Sequence, residues 1–194
     1  DSLNDNKINK IYKNYTHKYN DLFVSTFNNQ TSIQKKDFYI LIDHENIPST
    51  KQNGGHAHQD LGSFILDYKD KVIVNSGTYS YFDNKLRDRY RSESYHNLPT
   101  LSNFSYGLLE KKYLINNYPT AELKREVEDS ELSIIIKIKN LYNKKLNKID
   151  KNVFLKRKFQ FNFLSNELLI NDSYYSKYKN KFELNSHLHF HNQI

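Results

Sequence analysis

The sequence contains no cysteine, and this absence limits the chemistry that the chain can perform. Without cysteine there is no disulfide framework, and a zinc site built from thiolates is excluded. Any metal ion held by side chains of this protein must therefore use histidine, aspartate, glutamate or asparagine.

Long hydrophobic runs are also missing, so the sequence predicts no membrane-spanning segment. Residues 1–20 are polar and do not have the pattern of a signal peptide. We expect these residues to form an irregular or weakly helical lead-in. Because methionine is absent, we also expect the chain to be a processed product or a piece of a longer protein.

Aromatic residues make up 14% of the 194 residues, which argues against disorder and for one folded domain. The formal net charge is +7, and a basic surface favours polyanions such as nucleic acid, an anionic membrane or an acidic polysaccharide. Abundant lysine and asparagine also suggest an AT-rich genome, so the charge alone selects no partner. Because no sequence motif of a nucleic-acid module is present, we expect no nucleic-acid partner.

Short runs of alternating apolar and polar residues dominate the chain after its lead-in. Strands are predicted over Leu22–Phe27 and Asp37–Asp43, and a hairpin over Ser63–Gly77. The charged stretch 78–97 is predicted to be a long loop or a short helical insertion. Because strand follows strand thereafter, we predict an all-β fold, an antiparallel β-sandwich over residues 21–194.

The stretch GGHAHQDLGSF gathers most of the candidate chemistry. On a strand, residues two apart point to the same face, so His56, His58 and Asp60 would project together. Such a row can bind a metal ion or perform acid–base catalysis, or it can be an ordinary solvated strand face. Asn75 and His96 are candidates to complete the cluster, because two imidazoles and an amide or carboxylate oxygen suit zinc.

Three ordered blocks resemble the central motif of the heparinase II/III-like polysaccharide lyases. The family pattern is close to GGHxHxDxLSF, VD[PS]GTYxY and RxxFRSxxxHN, and this chain reads GGHAHQDLGSF, VNSGTYSY and RDRYRSESYHN. The direct resemblance covers about residues 38–104, and it implies an N-terminal α/α toroid packed against a C-terminal β-sandwich. We therefore expect residues 1–20 to be a linker from a missing toroid domain, and residues 21–194 to be the β-sandwich, truncated at its C-terminus.

The resemblance also implies roles for individual residues. His56 would face the substrate and assist catalysis, and His58 and His96 would bind a structural metal ion, usually zinc. The third ligand in the family is usually an aspartate, but Asn75 stands at that position, so we expect zinc to bind weakly or not at all. Asp60 is expected to orient the ligands through hydrogen bonds. Contacts to sugar carboxylates or sulfates, with loop anchoring or packing as the alternative, are predicted for Arg87, Arg91, Tyr79 and Tyr81.

The implied function is the β-sandwich portion of a lyase that cleaves a uronic-acid-containing glycan by β-elimination. In the family, most of the proton transfer belongs to residues of the toroid, so we expect little activity from this chain alone. The alternatives are a non-catalytic module that binds or scaffolds an acidic polysaccharide, and a cupin-like metalloenzyme, which also uses an HxH motif. The resemblance implies a bacterial periplasmic or extracellular location, and glycosaminoglycan, alginate-type and exopolysaccharide substrates all fit.

Overall fold

The structure is a computed structural model that describes residues 22–27, 29–44, 57–78, 82–110 and 114–191. The predicted lead-in over residues 1–20 lies outside the described residues, as do three residues with predicted site roles: His56, Tyr79 and Tyr81.

Antiparallel strands account for most of the described chain. The first half contains β1 (Leu22–Phe27), β2 (Gln30–Lys35), β3 (Phe38–Asp43), β4 (Phe64–Tyr68) and β5 (Asp70–Ile73). A helix, α1 (Asn84–Arg91), and a 3-10 turn (Glu93–Tyr95) come next. They are followed by β6 (Pro99–Leu101), β7 (Phe104–Ser105), β8 (Leu108–Glu110) and β9 (Leu114–Asn116). The last part contains β10 (Thr120–Glu128), β11 (Glu131–Lys139), β12 (Leu141–Asn143), β13 (Lys148–Asp150), β14 (Val153–Asn162), β15 (Glu167–Ser176) and β16 (Leu184–Ser186).

Two larger sheets form the sandwich, one with the order β1-β2-β3-β4-β5 and one with the order β10-β11-β14-β15. Their inner faces meet through aromatic side chains. The ring of Phe38 stacks on that of Phe161 with centroids 4.5 Å apart, and Phe64 meets Phe159 edge-on at 5.4 Å. The predicted all-β antiparallel sandwich is therefore confirmed.

The alternation of side chains along β11 and β14 explains which residues reach the core. Ile136 and Ile138 are fully buried, whereas Lys137 between them points to the other face of the sheet. Each such isoleucine contributes about 1.5–3 kcal/mol through burial, which makes this sheet a main source of stability. On β14 the same inward row includes Arg157, a charged side chain with no exposed surface.

The predicted elements agree with the observed ones over most of the first half. The strand Leu22–Phe27 is β1, and the hairpin predicted over Ser63–Gly77 is β4–β5, with Lys69 at its tip in the left-handed region (φ 61°). The charged stretch 78–97 contains α1, whose first turn is capped by Asp83 through a hydrogen bond from the Leu86 N–H (2.9 Å).

Candidate functional site

His58 and Asp60 lie on an irregular loop before β4, so the predicted strand at this position is wrong. The loop turns on itself, because the Ser63 N–H donates to the Asp60 carbonyl (2.8 Å) and the Gly62 N–H donates to the Asp43 carbonyl (2.9 Å). Gly62 has φ +86°, a left-handed conformation that favours glycine. A turn, and not strand pleating, therefore directs these two side chains.

His96 comes from a different segment of the chain and directly follows the 3-10 turn. Its side chain is fully buried, and neither ring nitrogen makes a well-formed hydrogen bond with the described residues. Burial lowers the pKa of His96 to about 3, and repulsion from His58 and His189 adds to the effect, while the Tyr90 carbonyl opposes it. The imidazole is therefore neutral at physiological pH and keeps its lone pair available.

His58, Asp60 and His96 converge on one point of the structure. One ligand atom from each residue lies within 4.8 Å of the other two, and the two imidazole rings have centroids 5.2 Å apart. The Thr78 hydroxyl lies 3.2 Å from Nε2 of His58. Two imidazoles and a carboxylate are a donor set that suits zinc or a similar divalent ion, and the unpartnered ring of His96 fits that role. Asp60, for which the sequence predicted an orienting role, thus offers a ligand atom directly.

Gln59 lies between His58 and Asp60 in the sequence and anchors the loop that carries them. Its amide group donates to the Ser105 hydroxyl (3.2 Å) and the Gly107 carbonyl (2.7 Å), and its side-chain oxygen accepts from the Glu93 N–H (3.2 Å). The Gln59 backbone N–H donates to the Arg91 carbonyl (2.8 Å). Because this buried side chain is fully engaged, it fixes the orientation of the loop on either side of it.

Arg157 connects the loops of the cluster to the four-stranded sheet. Its guanidinium makes a bidentate ion pair with Asp172, with both N–O distances 2.7 Å. Its Nη1 donates to the carbonyls of Gly62 (3.0 Å) and Asn97 (2.5 Å), which are close in sequence to Asp60 and His96. One buried side chain therefore positions both sides of the site.

Asn97, the residue after His96, completes this framework. Its amide group donates to the carbonyls of Phe64 (2.8 Å) and Val74 (2.9 Å), and its oxygen accepts from the His189 N–H (2.7 Å). Strands β4 and β5 and the C-terminal segment are thereby held around His96. The HN pair at the end of the third sequence block thus has a structural explanation.

The other predicted site residues that the structure describes lie in different settings. Asn75 is exposed, and its side-chain oxygen accepts a hydrogen bond from the Gly77 N–H (2.9 Å). Arg87 and Arg91 are buried, and the Nε–H of Arg91 donates to the Ala57 carbonyl (3.0 Å), beside His58. Burial and the neighbouring Arg87 lower the pKa of Arg91. This contact is the loop anchoring given as the alternative, while a substrate contact stays a prediction for both arginines.

A shallow polar pocket of about 420 Å³ adjoins the cluster through Gln59. Its walls carry the side chains of Glu93, Thr100, Lys144 and His187. The Thr100 hydroxyl lies 3.0 Å from Nε2 of His187, and Lys144 pairs with Glu93 at 3.1 Å. Hydroxyl, amide and charged groups around a volume in the range of ligand pockets are suited to a sugar unit.

Sequence reasoning found both histidines of the cluster but missed Gln59 and Arg157. The position of Gln59 between two functional residues could have indicated its role, because a polar side chain that is buried there needs hydrogen-bond partners. Arg157 gave no signal, because KRKFQF differs little from other basic strands of this chain.

Comparisons with known proteins gave one match. The model of a protein family described as "Heparinase II/III-like, C-terminal" matches residues 28–194. No curated protein and no solved structure matched the chain. Among the described residues, no helix is both long enough and apolar enough to cross a lipid bilayer.

Proposed function

Because this chain belongs to the heparinase II/III-like, C-terminal family, we propose that it is the β-sandwich portion of a polysaccharide lyase that cleaves a uronic-acid-containing glycan by β-elimination. The observation that carries the proposal is the convergence of His58, Asp60 and His96 beside a polar pocket. The family itself suggests a polysaccharide as the substrate. The reaction type, the acidic substrate and the residue roles are our inference.

The proposed reaction places two demands on the protein. A base must remove the proton from C5 of the uronate, and the charge that develops on the neighbouring carboxylate must be stabilised. The C4–O bond then breaks, a C4–C5 double bond forms, and the leaving glycosidic oxygen takes up a proton. His56 is assigned to the substrate side of the site, where its imidazole would neutralise the uronate carboxylate or accept the C5 proton.

The cluster is assigned a structural role beside this chemistry. His58, Asp60 and His96 would hold a divalent ion such as zinc, and His96 fits because its buried nitrogens have no other well-formed hydrogen bond. When bound, the ion would supply positive charge. Its ligands would link the loop before β4 to the segment after the 3-10 turn. Asp60 supplies the anionic oxygen that the exposed Asn75 lacks. Binding of the ion would fix the positions of His58 and Asp60, which follow His56 closely in the sequence.

We further propose that a helical toroid domain of the same protein supplies the opposite wall of the cleft, together with the remaining proton-transfer groups. Arg87, Arg91, Tyr79 and Tyr81 are assigned to the glycan side of the chain. The polymer is found outside the bacterial cytoplasm, so we place the protein in the periplasm or outside the cell. A capsular or exopolysaccharide uronate and a glycosaminoglycan are both compatible with this proposal.

A direct test follows the unsaturated product by its ultraviolet absorbance while the full-length protein acts on a panel of uronate polymers. Product should accumulate with at least one polymer, and His56→Ala should reduce the initial rate by at least a hundredfold. His44→Ala is the matched control, because His44 lies outside the cluster and its Nε2 contacts the Thr31 hydroxyl (3.0 Å). Absence of product with every polymer, while binding persists, would favour the alternative of a non-catalytic binding module.

The family match favours the lyase interpretation over the cupin-like alternative. The non-catalytic alternative keeps one specific observation in its favour, because Asn75 replaces the aspartate expected at the third ligand position. The same assay separates these two functions.

A further inference from the structure

The pocket beside the cluster is nearly neutral, although the chain as a whole is basic. Glu93 and Lys144 are the ionised side chains among the described residues that line it, and they form an ion pair at 3.1 Å. His187 also lines the pocket, and burial and the nearby His189 lower the pKa of its imidazole, while Glu93 opposes this effect. His187 is therefore uncharged at neutral pH, and the charges of Glu93 and Lys144 cancel.

The carboxylate of Glu93 is fixed on the wall of this pocket. One of its oxygens accepts hydrogen bonds from the Ser105 hydroxyl (2.9 Å) and the Tyr106 backbone N–H (2.9 Å), and the other pairs with Lys144. The side chain of Glu93 is only 14% exposed. An anionic group that entered the pocket would therefore lie beside a negative charge whose cation is already engaged.

Hydroxyl groups line one part of the pocket. They belong to Ser92, Ser94, Thr100 and Ser102, and each of these residues is at least partly exposed. The Ser102 oxygen accepts a hydrogen bond from the Glu183 N–H (3.0 Å) and can still donate its own proton. Because a hydroxyl group both donates and accepts, such a lining is complementary to the hydroxyl groups of a sugar.

Apolar side chains line another part of the pocket, namely Leu101, Phe104, Leu108 and Leu109. Leu101 and Phe104 are buried, whereas Leu108 and Leu109 keep part of their surface exposed. A sugar ring presents C–H groups as well as hydroxyl groups, and ligand pockets commonly combine apolar contact with a few polar groups that fix orientation. The pocket thus offers both kinds of contact that an uncharged sugar makes.

The pocket and the cluster share two segments of the chain. Gln59, which lines the pocket, lies between His58 and Asp60, and Ser94, which also lines it, comes two residues before His96. A sugar unit held in the pocket would therefore bring the adjacent unit of the same polymer to the loop that carries the cluster.

We propose that this pocket binds an uncharged sugar unit of the glycan, and that the ion pair of Glu93 and Lys144 excludes a carboxylate or a sulfate from the same position. The substrate class is then a glycan in which uronate units alternate with unsulfated hexose or N-acetylhexosamine units, and not a homopolymer of uronates. The presence of a uronate at the adjacent position rests on the proposed function, whereas the preference for an uncharged unit rests on the residues of the pocket.

The charges of the pocket favour this ligand over an anionic one. Specificity arises when the wrong ligand would leave a charge unpaired. A carboxylate or a sulfate could gain Lys144 only by separating it from Glu93, which would leave that fixed carboxylate without its cation. Burying a charge without a partner costs far more than burying a hydroxyl group that finds a hydrogen bond.

The first test compares tetrasaccharides of one backbone with and without sulfate. Chondroitin and heparosan alternate glucuronate with an unsulfated N-acetylhexosamine, and each is compared with a counterpart that is sulfated on the hexosamine. Binding to the 194-residue chain is measured by calorimetry at about 0.3 M salt, where long-range attraction to the basic surface is screened. At least one unsulfated tetrasaccharide should bind about fivefold more tightly than its sulfated counterpart. Equal or tighter binding of both sulfated forms, or no binding of either unsulfated form, would overturn the proposal.

The second test removes the negative charge of the pair. Glu93→Gln keeps an acceptor oxygen but leaves Lys144 without its carboxylate, so the sulfated tetrasaccharide should bind within about twofold of the unsulfated one. Glu128→Gln on β10 removes the same charge from an exposed position and should leave the fivefold preference intact. If the two variants change the preference equally, net charge is the cause and the pair does not set the specificity.

The third test removes hydroxyl groups and leaves the charges in place. Thr100→Val/Ser102→Ala should weaken binding of the unsulfated tetrasaccharide about tenfold, and Ser102→Ala alone about threefold. Thr120→Val on β10 is the matched control and should change binding by less than about twofold. Unchanged binding in a folded Ser102→Ala variant and a folded double variant would place the sugar elsewhere. Circular dichroism and thermal melting show whether each variant is folded.

The outcomes also separate this proposal from the proposed function. If the tetrasaccharides bind with the expected charge preference but the full-length protein forms no unsaturated product, the lyase assignment fails and the sugar pocket stands. If the full-length protein forms product from polygalacturonate or alginate, and the alternating tetrasaccharides do not bind, the lyase stands and the sugar pocket fails.

Discussion

At the scale of single residues, the environment of His96 determines its charge and couples the protein to pH. The pKa of His96 is lowered from 6.5 to about 3 by burial and by two neighbouring histidines. The unfolded chain therefore binds a proton at a pH where the folded chain does not, and stability falls as the pH drops from about 6.5 toward 3. By pH 5 this single group should cost about 2 kcal/mol of unfolding free energy relative to neutral pH.

The prediction is tested with His96→Gln in a chelating buffer, where no metal ion contributes. Urea unfolding between pH 7.5 and pH 4 should show a smaller loss of stability in the variant than in the wild type. Parallel pH dependences for the two proteins would contradict the assignment.

The identity of the third metal ligand is a second question at this scale. Asp60 has a carboxylate oxygen within reach of both imidazoles, whereas the oxygen of the exposed Asn75 accepts a local hydrogen bond. We therefore expect Asp60→Asn to weaken zinc affinity at least tenfold, and Asn75→Asp to change it by less than about threefold. Competition with a chelating dye measures both.

Glu128→Gln on the distant strand β10 is the charge-matched control and should leave zinc affinity unchanged. If Asn75→Asp tightens binding strongly while Asp60→Asn has no effect, the ligand sits at the position where the family usually has its aspartate.

The sequence predicts those residues of the site that are of a metal-ligating type and also lie in a recognisable motif, such as His58 and His96. It predicts less well where a role depends on distant partners. Gln59 bonds Ser105, 46 positions away, and Arg157 bonds Gly62, 95 positions away. No local pattern specifies such contacts, because they are created by the packing of elements that are remote in sequence.

At the scale of secondary structure elements, alternation identified the long strands but not the functional loop. In β11 and β14 every second residue is buried, and the pattern survives because each strand is paired along its whole length. The HAHQD sequence also alternates, yet hydrogen bonds at Ser63 and Gly62 turn the chain instead. Alternation predicts a strand only where a neighbouring strand completes the hydrogen bonds.

Arg157 on β14 links the core to the loops of the cluster. Its replacement should lower the free energy of unfolding strongly. Arg157→Met would leave the buried carboxylate of Asp172 uncompensated and free the carbonyls of Gly62 and Asn97. We expect a loss of about 3–5 kcal/mol of unfolding free energy, measured by urea denaturation. Arg157→Lys should recover only part of this loss, since lysine keeps the charge but not the planar fork.

Lys139→Met breaks the exposed pair with Glu122 and serves as the control, with little expected loss of unfolding free energy because exposed ion pairs are screened by solvent. If both substitutions cost the same, the buried ion pair does not hold the loops as inferred. Zinc affinity should fall with Arg157→Lys but not with Lys139→Met, because only Arg157 positions the loops of the cluster.

At the scale of the whole molecule, the sandwich supplies the frame that carries the cluster. The two sheets share a continuous core, and the cluster lies where the loop before β4 meets the segment after the 3-10 turn. Fold class could be read from the number and alternation of the strands, whereas the packing of the loops over the core could not. We proposed a second wall because the described cluster offers imidazole and carboxylate ligands only, and no tyrosine of the described residues lines the pocket.

The proposed helical domain predicts the behaviour of the isolated chain. The 194 residues should fold cooperatively and bind a uronate-containing glycan, yet release unsaturated product at less than about a hundredth of the rate of a full-length protein with its helical domain. The physical reason is that proton abstraction and leaving-group protonation need groups on both sides of the sugar, held in one geometry. Ultraviolet product assays on the two proteins at equal concentration measure the ratio, and circular dichroism shows that the shorter chain is folded. Robust turnover by the isolated chain would mean that His56 and its neighbours form a complete active site, and the proposed role of the second domain would then have to be given up.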